Sequence, residues 1–464
     1  MQRRTFGLMT AASTMALSCG GLRAHAQSTA SFEELSKTTL TPLGSERAGN
    51  AAGTIPAWTG GMTTAPADWD QSSQMVPDFW AGEAPLYTVD ASNMEQYTNL
   101  LTLGVQHLMK KSGFSIKVYP THRTASAPQW VYDNIVKNSQ NAKLIQSDGR
   151  TGFTGGYGGI PFPMPDTSNP YSAGAQIIWN HRTRWQGVAD TQVGASYVCN
   201  GGDVVLAGAG VTQNVYPYYD PKGSLATYEG YQYENHETLF GPATLAGEQV
   251  LDRYATNSLK NPDILWELLP GEGRVRKAPE LMYDTPSAFT DGIANFDEYN
   301  GFEGPLDRYN WKLIGKQEML IPYNNNAMRR TSALDVHQPK FLNPDIVRWE
   351  LHRCWVVDAT LHPGERNVIA HRRLYVDEDT WTVMAGDEWD AGGNLYKEVM
   401  TFNIVFPNLP GTILLNSMVY NLQTGNYVTI SGPWGNPPFN KPISFAPIPQ
   451  YELEPQAMAA AASY

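Results

Sequence analysis

Residues 346–361 carry a two-residue alternation longer than an ordinary strand. Val347, Trp349, Leu351, Trp355, Val357, Ala359 and Leu361 share one face. Arg348, Glu350, His352, Cys354, Asp358 and Thr360 share the other, and Arg353 alone interrupts the apolar row. Only a sheet satisfies a side-chain period of two over such a length. The turn His362-Pro363-Gly364-Glu365 ends the segment, and a second strand is predicted over about 367–377. Asp377 to Thr380 turns the chain again, Trp381 to Trp389 alternates, and Asp390-Ala391-Gly392-Gly393-Asn394 forms another turn. Leu395 to Phe406, residues 412–420 and residues 426–431 follow, so consecutive strands on short turns predict an antiparallel meander. Earlier strands are expected around 202–216, 226–240, 243–256 and 262–270.

Composition agrees with turn-dense β structure. The chain of 464 residues has 42 Gly, 32 Pro and 11% aromatic residues, but only 17% charged residues. Its formal charge of −12 argues against nucleic acid as a partner, because phosphate neutralisation needs clustered Lys and Arg. Beyond residue 30 no apolar run approaches the roughly 18 residues of a membrane-spanning helix.

Residues 1–26 read as a signal peptide: a basic start at Arg3-Arg4, a moderately apolar stretch from Phe6 to Leu22, and cleavage near Ala26 after Ala24-His25-Ala26. Arg3-Arg4-Thr5-Phe6 resembles a twin-arginine core, with a Sec signal as the alternative route. The expected location is the periplasm, with outer-membrane association as a further expectation. Cys19 follows Ala16-Leu17-Ser18, but a lipobox wants its Leu one place earlier. Cys199 and Cys354 remain after cleavage; one disulfide and two unpaired buried thiols are both open readings.

Between leader and sheet, residues 27–90 read as an extended Pro/Gly-rich arm with Trp58 as its anchor. Residues 91–190 form a helical segment with a loop. Ser92-x-x-Glu95 predicts a capping box and a helix of about five turns ending near Lys110-Lys111-Ser112-Gly113. A second helix opens at Pro128, Gly155 to Pro165 must be a loop, and 172–187 reads as a short helix. Residues 191–454 hold the antiparallel sheet, and 455–464 read as a flexible tail.

Familiar catalytic patterns are missing. Gly194-Ala195-Ser196-Tyr197 is followed by Val198 where a nucleophile elbow needs Gly, and Gly271-Glu272-Gly273 lacks the third glycine of a dinucleotide loop. His236-Glu237 meets Phe240 where a zinc helix needs its second His. Asp387, Asp390 and Asn394 read as turn formers rather than Ca²⁺ ligands. The expectation is therefore no catalytic residue, no metal site and no cofactor, although Asp/Glu pairs for glycan hydrolysis are invisible among 45 acids.

Several separate stretches agree in order with one family. They include Leu40-Thr41-Pro42-Leu43-Gly44-Ser45-Glu46-Arg47-Ala48-Gly49-Asn50, Tyr119-Pro120-Thr121-His122-Arg123-Thr124 and Ala127-Pro128-Gln129-Trp130-Val131-Tyr132. Gly158-Gly159-Ile160-Pro161-Phe162-Pro163, Tyr283-Asp284-Thr285-Pro286 and Asp307-Arg308-Tyr309-Asn310-Trp311-Lys312-Leu313 follow. Leu342-Asn343-Pro344-Asp345 and Tyr375-Val376-Asp377-Glu378-Asp379-Thr380-Trp381 complete the set. The chain thereby resembles the domain-of-unknown-function 1329 family of exported proteobacterial proteins, distantly similar to the lipoprotein carriers LolA and LolB.

That resemblance implies a mainly β, α+β fold: an incomplete antiparallel β-barrel closed by helices over an apolar cavity, here with an N-terminal extended arm. On that view Val347, Trp349, Leu351, Trp355 and Val357 bind the ligand, against the simpler reading that they fill a packed core. The expected function is a non-catalytic periplasmic carrier or chaperone for a lipid, lipoprotein or other hydrophobic ligand. The expected partners are a hydrophobic small molecule or acyl chain and an envelope transporter or outer-membrane protein. The alternatives are an envelope hydrolase acting on a glycan or polymer, and a structural adaptor of an export pump.

Overall fold

The computed structural model describes Leu35 and residues 37–461, so the leader lies outside the described residues. Short strands β1 (Tyr87–Val89) and β2 (Ile116–Val118) flank helix α1 (Leu103–Ser112). Helix α2 (Gln129–Asn141), the two-residue strands β3 (Lys143–Leu144) and β4 (Phe153–Thr154), and helix α3 (Pro170–Arg182) come next. They lead into β5 (Ala189–Asn200), β6 (Asp203–Val215), β7 (Tyr231–Gly241), β8 (Gln249–Ala255), β9 (Ile264–Leu268) and β10 (Arg276–Lys277). After β11 (Tyr309–Pro322) come the short helices α4 (Asn326–Arg330) and α5 (Ala333–Val336). The meander is β12 (Arg348–Leu361), β13 (His371–Asp377), β14 (Val383–Trp389), β15 (Leu395–Phe406), β16 (Gly411–Asn421) and β17 (Tyr427–Gly432). Helix α6 (Pro455–Ala461) ends the described chain.

One large sheet runs β11-β12-β13-β14-β15-β16-β17-β5-β6-β7-β8-β9-β10, with antiparallel neighbours throughout. The β1–β2 ribbon joins β12 through a short parallel pairing at Arg348 and Trp349. Among the described residues the end strands β11 and β10 do not pair, so the sheet is open. It is also curved. Asp252 on β8 and Asn416 on β16 line the same small cavity, although five strand-to-strand steps separate them. Five steps in a flat sheet span roughly 24 Å at about 4.8 Å each. The cavity side is therefore the inside of a half-barrel.

Both faces are covered by the chain's own segments. On the inner side α3 contributes Ala173, Ile177, Ile178 and Trp179 to a core with Trp311 on β11 and Trp355 and Val357 on β12. A second large core joins Val105, Leu108 and Met109 of α1 to Met400, Phe402 and Ile404 of β15 and Met418 and Tyr420 of β16. α1 starts on two buried carboxyls: the Leu103 and Gly104 amides donate to Asp387 at 3.1 and 2.7 Å, and the Thr102 hydroxyl donates to Glu398 at 2.8 Å. A helix N-terminus favours such acidic partners. Gly104 permits the approach, since a Cβ there would meet a Glu398 oxygen at 2.2 Å.

Three expectations are corrected. The five-turn helix from Ser92 is two short 3₁₀ turns followed by α1, because the Ser92 amide and hydroxyl are both taken by Asp90 and Thr102 caps the helix instead. The flexible tail is α6 as far as residue 461, with Met458 buried against Leu251 of β8 and Leu268 of β9. Asp387 is a strand residue that receives α1 rather than a turn former. Cys199 and Cys354 are both buried and free, so no disulfide joins them. The arm is held as expected at Trp58, whose indole N–H donates to the Ala125 carbonyl at 2.9 Å beneath the Arg47 guanidinium.

Candidate functional site

Polar side chains occupy the inner positions of β5 to β8, and strand register sets them in rows. Gln192, Thr212 and Glu237 are successive cross-strand partners; so are Asp190, Asn214, Asn235 and Asp252. Three members of the second row are linked by side-chain hydrogen bonds: Asn214 donates to Asp190 at 2.9 Å, and Asn235 and the Tyr233 hydroxyl each donate to Asn214 at 2.8 Å. Asn416 and Ser417 of β16 and Ile430 and Ser431 of β17 face them across the curve.

A roof closes this trough. It comes from residues 288–303, whose Phe289, Phe296, Tyr299, Asn300 and Glu303 enclose a cavity of about 90 Å³. By volume that holds a handful of waters or a small polar group. The roof is fastened by a cross-strand row of buried charges on the inner face: Arg372 of β13, Glu388 of β14 and Lys397 of β15. Asp297 of the roof accepts from Arg372 at 2.7 Å, and Glu298 accepts from Lys397 at 2.7 and 2.8 Å. Burial and the neighbouring Glu298 raise the Glu388 carboxyl well above its usual range, although Arg372 opposes the shift. Two cations thus serve three carboxyls.

Inside the cavity the electrostatics are one-sided. Glu237, Asp252 and Glu303 line it, and among the described residues no Lys, Arg or His does. Burial pushes Glu237 up to about 7, against the Ser431 hydroxyl that donates to it at 3.1 Å. Burial first, and then the charges of Glu303 and Glu237, raise Asp252 well above the ordinary carboxylate range. Among side-chain atoms Asp252 Oδ1, Gln192 Oε1 and both amide atoms of Asn416 are buried without a protein partner. Buried polar groups are ordinarily satisfied, so these atoms mark where something polar is accommodated.

The five residues singled out from sequence lie elsewhere. Val347 and Trp349 are buried in the core shared with α1, with Leu351 packed against it; Trp349 meets Phe114 edge-on at 6.2 Å. Trp355 and Val357 are buried in the α3 core, where Trp355 stacks on Trp381 at 6.2 Å. None of the five lines the cavity. Arg353, which interrupts their row, donates to Glu378 and to the Ala48 carbonyl, both at 3.0 Å, and so ties the β13–β14 turn to the arm.

One group of possible metal ligands occurs among the described residues: His352, Asp377 and Asp379, with ligand atoms within 4.8 Å of one another. Arg123 already takes both oxygens of Asp379 at 2.8 and 2.7 Å, and the other nitrogen of His352 faces Glu350 at 3.1 Å. This is an ion-pair network that locks the arm and the β13–β14 turn together.

The comparisons place the chain. A family model described as "Protein of unknown function (DUF1329)" matches residues 88–458. The uncharacterized protein PA3922 of Pseudomonas aeruginosa is 34% identical over 405 residues, which is 85% of this chain and 85% of that protein. A solved DUF1329 family protein from Desulfovibrio piger aligns with a TM-score of 0.42 at 14% identity, over 62% of this chain and 99% of its own. A putative outer membrane lipoprotein-sorting protein domain from Vibrio parahaemolyticus gives 0.42 at 11% identity, over 62% and 98%. The LolA superfamily protein NE2245 from Nitrosomonas europaea gives 0.34 at 10% identity, over 59% and 93%. With the family model covering most of its length, the chain belongs to the DUF1329 family of proteins of unknown function.

Proposed function

We propose that this protein is a non-catalytic carrier or chaperone of the cell envelope that holds a lipid, lipoprotein or other hydrophobic ligand by its polar end on the inner face of the half-barrel. The carrying observation is the cavity: the curved sheet and its roof keep about 90 Å³ between aromatic rings and unpartnered polar atoms instead of closing on it. That space suits a headgroup and not an acyl chain. An apolar tail would lie where the roof now packs Ala294 against Val198, Val399, Val419, Val428 and Ile430. Each buried CH₂ there contributes about 0.8 kcal/mol, enough for capture and release without a polar motif. Native mass spectrometry of protein taken from its own envelope, before and after organic extraction, tests the reading. A discrete mass that extraction removes supports it. A clean mass, together with no uptake of fatty acid, phospholipid or sterol by the extracted chain, overturns it.

A second reading has one observation in its favour. Glu237, Asp252 and Glu303 share a cavity walled by aromatic rings, an arrangement that also suits glycan hydrolysis. Turnover of envelope glycans by wild type, abolished in Glu237→Gln or Asp252→Asn, would select the hydrolase over the carrier. The adaptor reading gains less, because the arm at 40–61 commits its anchor Trp58 to this chain's own Ala125.

A further inference from the structure

We propose that the cavity is a receptor for an organic ammonium group, held between the carboxyl groups of Glu237 and Asp252 and the aromatic faces of the roof. The inference rests on the carrier reading for the site and goes further in naming the chemistry of the ligand's polar end.

Charge imbalance is the first ground. The charges acting on Asp252 are Glu303, Glu237 and Asp263, all of them acidic. Arg184 senses Glu303 from outside the lining, and its guanidinium is committed to the His181 carbonyl at 2.6 Å and to Gln186 at 3.2 Å. Burial disfavours the ionised forms of Glu237 and Asp252, and a cationic ligand seated between them favours those forms again.

Independent of charge, Asn416 is 2% exposed, lines the cavity, and has neither its amide oxygen nor its nitrogen partnered within the chain. Gln192 Oε1 is likewise unpartnered. These groups offer hydrogen bonds to an N–H or to a hydroxyl beside it.

The aromatic geometry narrows the class. On the strand wall Tyr216, Tyr233 and Tyr254 stack on one another at 5.3 and 5.7 Å and the Arg182 guanidinium lies 5.0 Å over the Tyr254 ring, so the faces open to a ligand are those of the roof, where Phe296 and Tyr299 stack at 5.9 Å and 12°. Ring faces attract alkylammonium groups within about 6 Å, whereas a bare metal ion would gain little from five aromatic neighbours. A neutral polyol would draw nothing from the preference of these acids for a cation. Both free amines and the headgroups of zwitterionic lipids carry the required group.

The test is calorimetric titration of the full mature chain with choline and with its neutral carbon isostere, 3,3-dimethylbutan-1-ol. The expectation is that choline binds at least about tenfold more tightly, and that Glu237→Gln and Asp252→Asn each weaken it by about tenfold or more. Phe296→Leu keeps the acids and removes a ring face; it should weaken choline several-fold and carries the test where an acid variant fails to fold. Equal binding of choline and its isostere, or no choline binding at millimolar concentration, overturns the inference. Vesicles of phosphatidylethanolamine against phosphatidylglycerol separate the sources: selective extraction of the former points to a lipid headgroup, and choline binding without it points to a free amine. An extracted ligand that contains no ammonium nitrogen overturns the inference and leaves the carrier standing. Choline binding by a chain that takes up no hydrophobic ligand does the reverse.

Discussion

Replacing Lys397 with Met should loosen the roof and cost the protein about 3–5 kcal/mol. Lys397 and Glu298 have side chains 2% and 0% exposed, and the ammonium meets both carboxylate oxygens at 2.7 and 2.8 Å. At an effective dielectric of about 20 that attraction is roughly 6 kcal/mol. Deleting Lys397 also relieves its own desolvation, so the net loss is smaller, and breaking a buried pair from one side costs about 3–5 kcal/mol. At about 2.1 cal/mol/K per residue, the roughly 425 described residues unfold with about 0.9 kcal/mol/K, so Tm should fall by roughly 3–6 °C. The Lys397→Met, Glu298→Gln double variant should recover about 2 kcal/mol or more, because Gln removes the orphaned charge and still accepts from the Asn295 amide. Calorimetry gives the stabilities, and hydrogen exchange of residues 288–303 reports the roof directly. A single-variant loss below about 1 kcal/mol, or a double variant no more stable than the single, refutes the assignment of these charges as the fastening.

Other outcomes follow from the same coordinates. Burial pushes Asp190 up to about 7, opposed by the Asn214 amide. Its folded value lies above its unfolded one, so its stabilising contribution is whole below about pH 4 and falls away as pH rises to about 7. Asp190→Asn should therefore lose less stability between pH 5 and pH 8 than wild type, by about 2–4 kcal/mol; equal slopes of stability against pH contradict this. Trp58→Ala should cost about 3–5 kcal/mol and open residues 40–61 to limited proteolysis, with fragment masses mapping the cuts. Cys199 and Cys354 should react with a thiol reagent only after denaturation, and reductant should leave Tm unchanged.

Legibility differed sharply between the two halves of the sheet. In β12 to β17 apolar alternation and tight turns coincide, and the strand expected from Leu395 to Phe406 is β15 itself. β11 escaped because a bulge between Leu313 and Gly315 shifts its phase midway, so neither half keeps a period long enough to read. The Ser92 helix failed for a local reason: an Asx turn at Asp90 takes the groups that a capping box would use. The cavity was hidden more thoroughly. Asn214, Asn235, Glu237 and Asp252 sit at the period-two positions that alternation assigns to solvent, yet they face inward beneath the roof. The apolar rows, with Trp349 and Trp355, stand out more in the sequence and lie in the two large cores. Polar residues in register on four adjacent strands, in a chain poor in charge, were the available signal.

The place of β5 in the sheet bears on how the chain becomes a protein. β5 pairs with β17, so Cys199 lies opposite Tyr427 and Val198 opposite Val428. The arm waits for β13 and the turn after it, because the Trp381 indole donates to the Leu43 carbonyl and Asp379 holds Arg123. A nascent chain emerging residue by residue can build β5 to β10 and β11 to β16 as two series of consecutive pairings, but it cannot join those two halves until β17 has been synthesised. Such long-range closure makes folding slow compared with local helical folds. Closure of the sheet is consequently a late event, and a chain cut short before β17 should remain two unjoined half-sheets exposed to proteases.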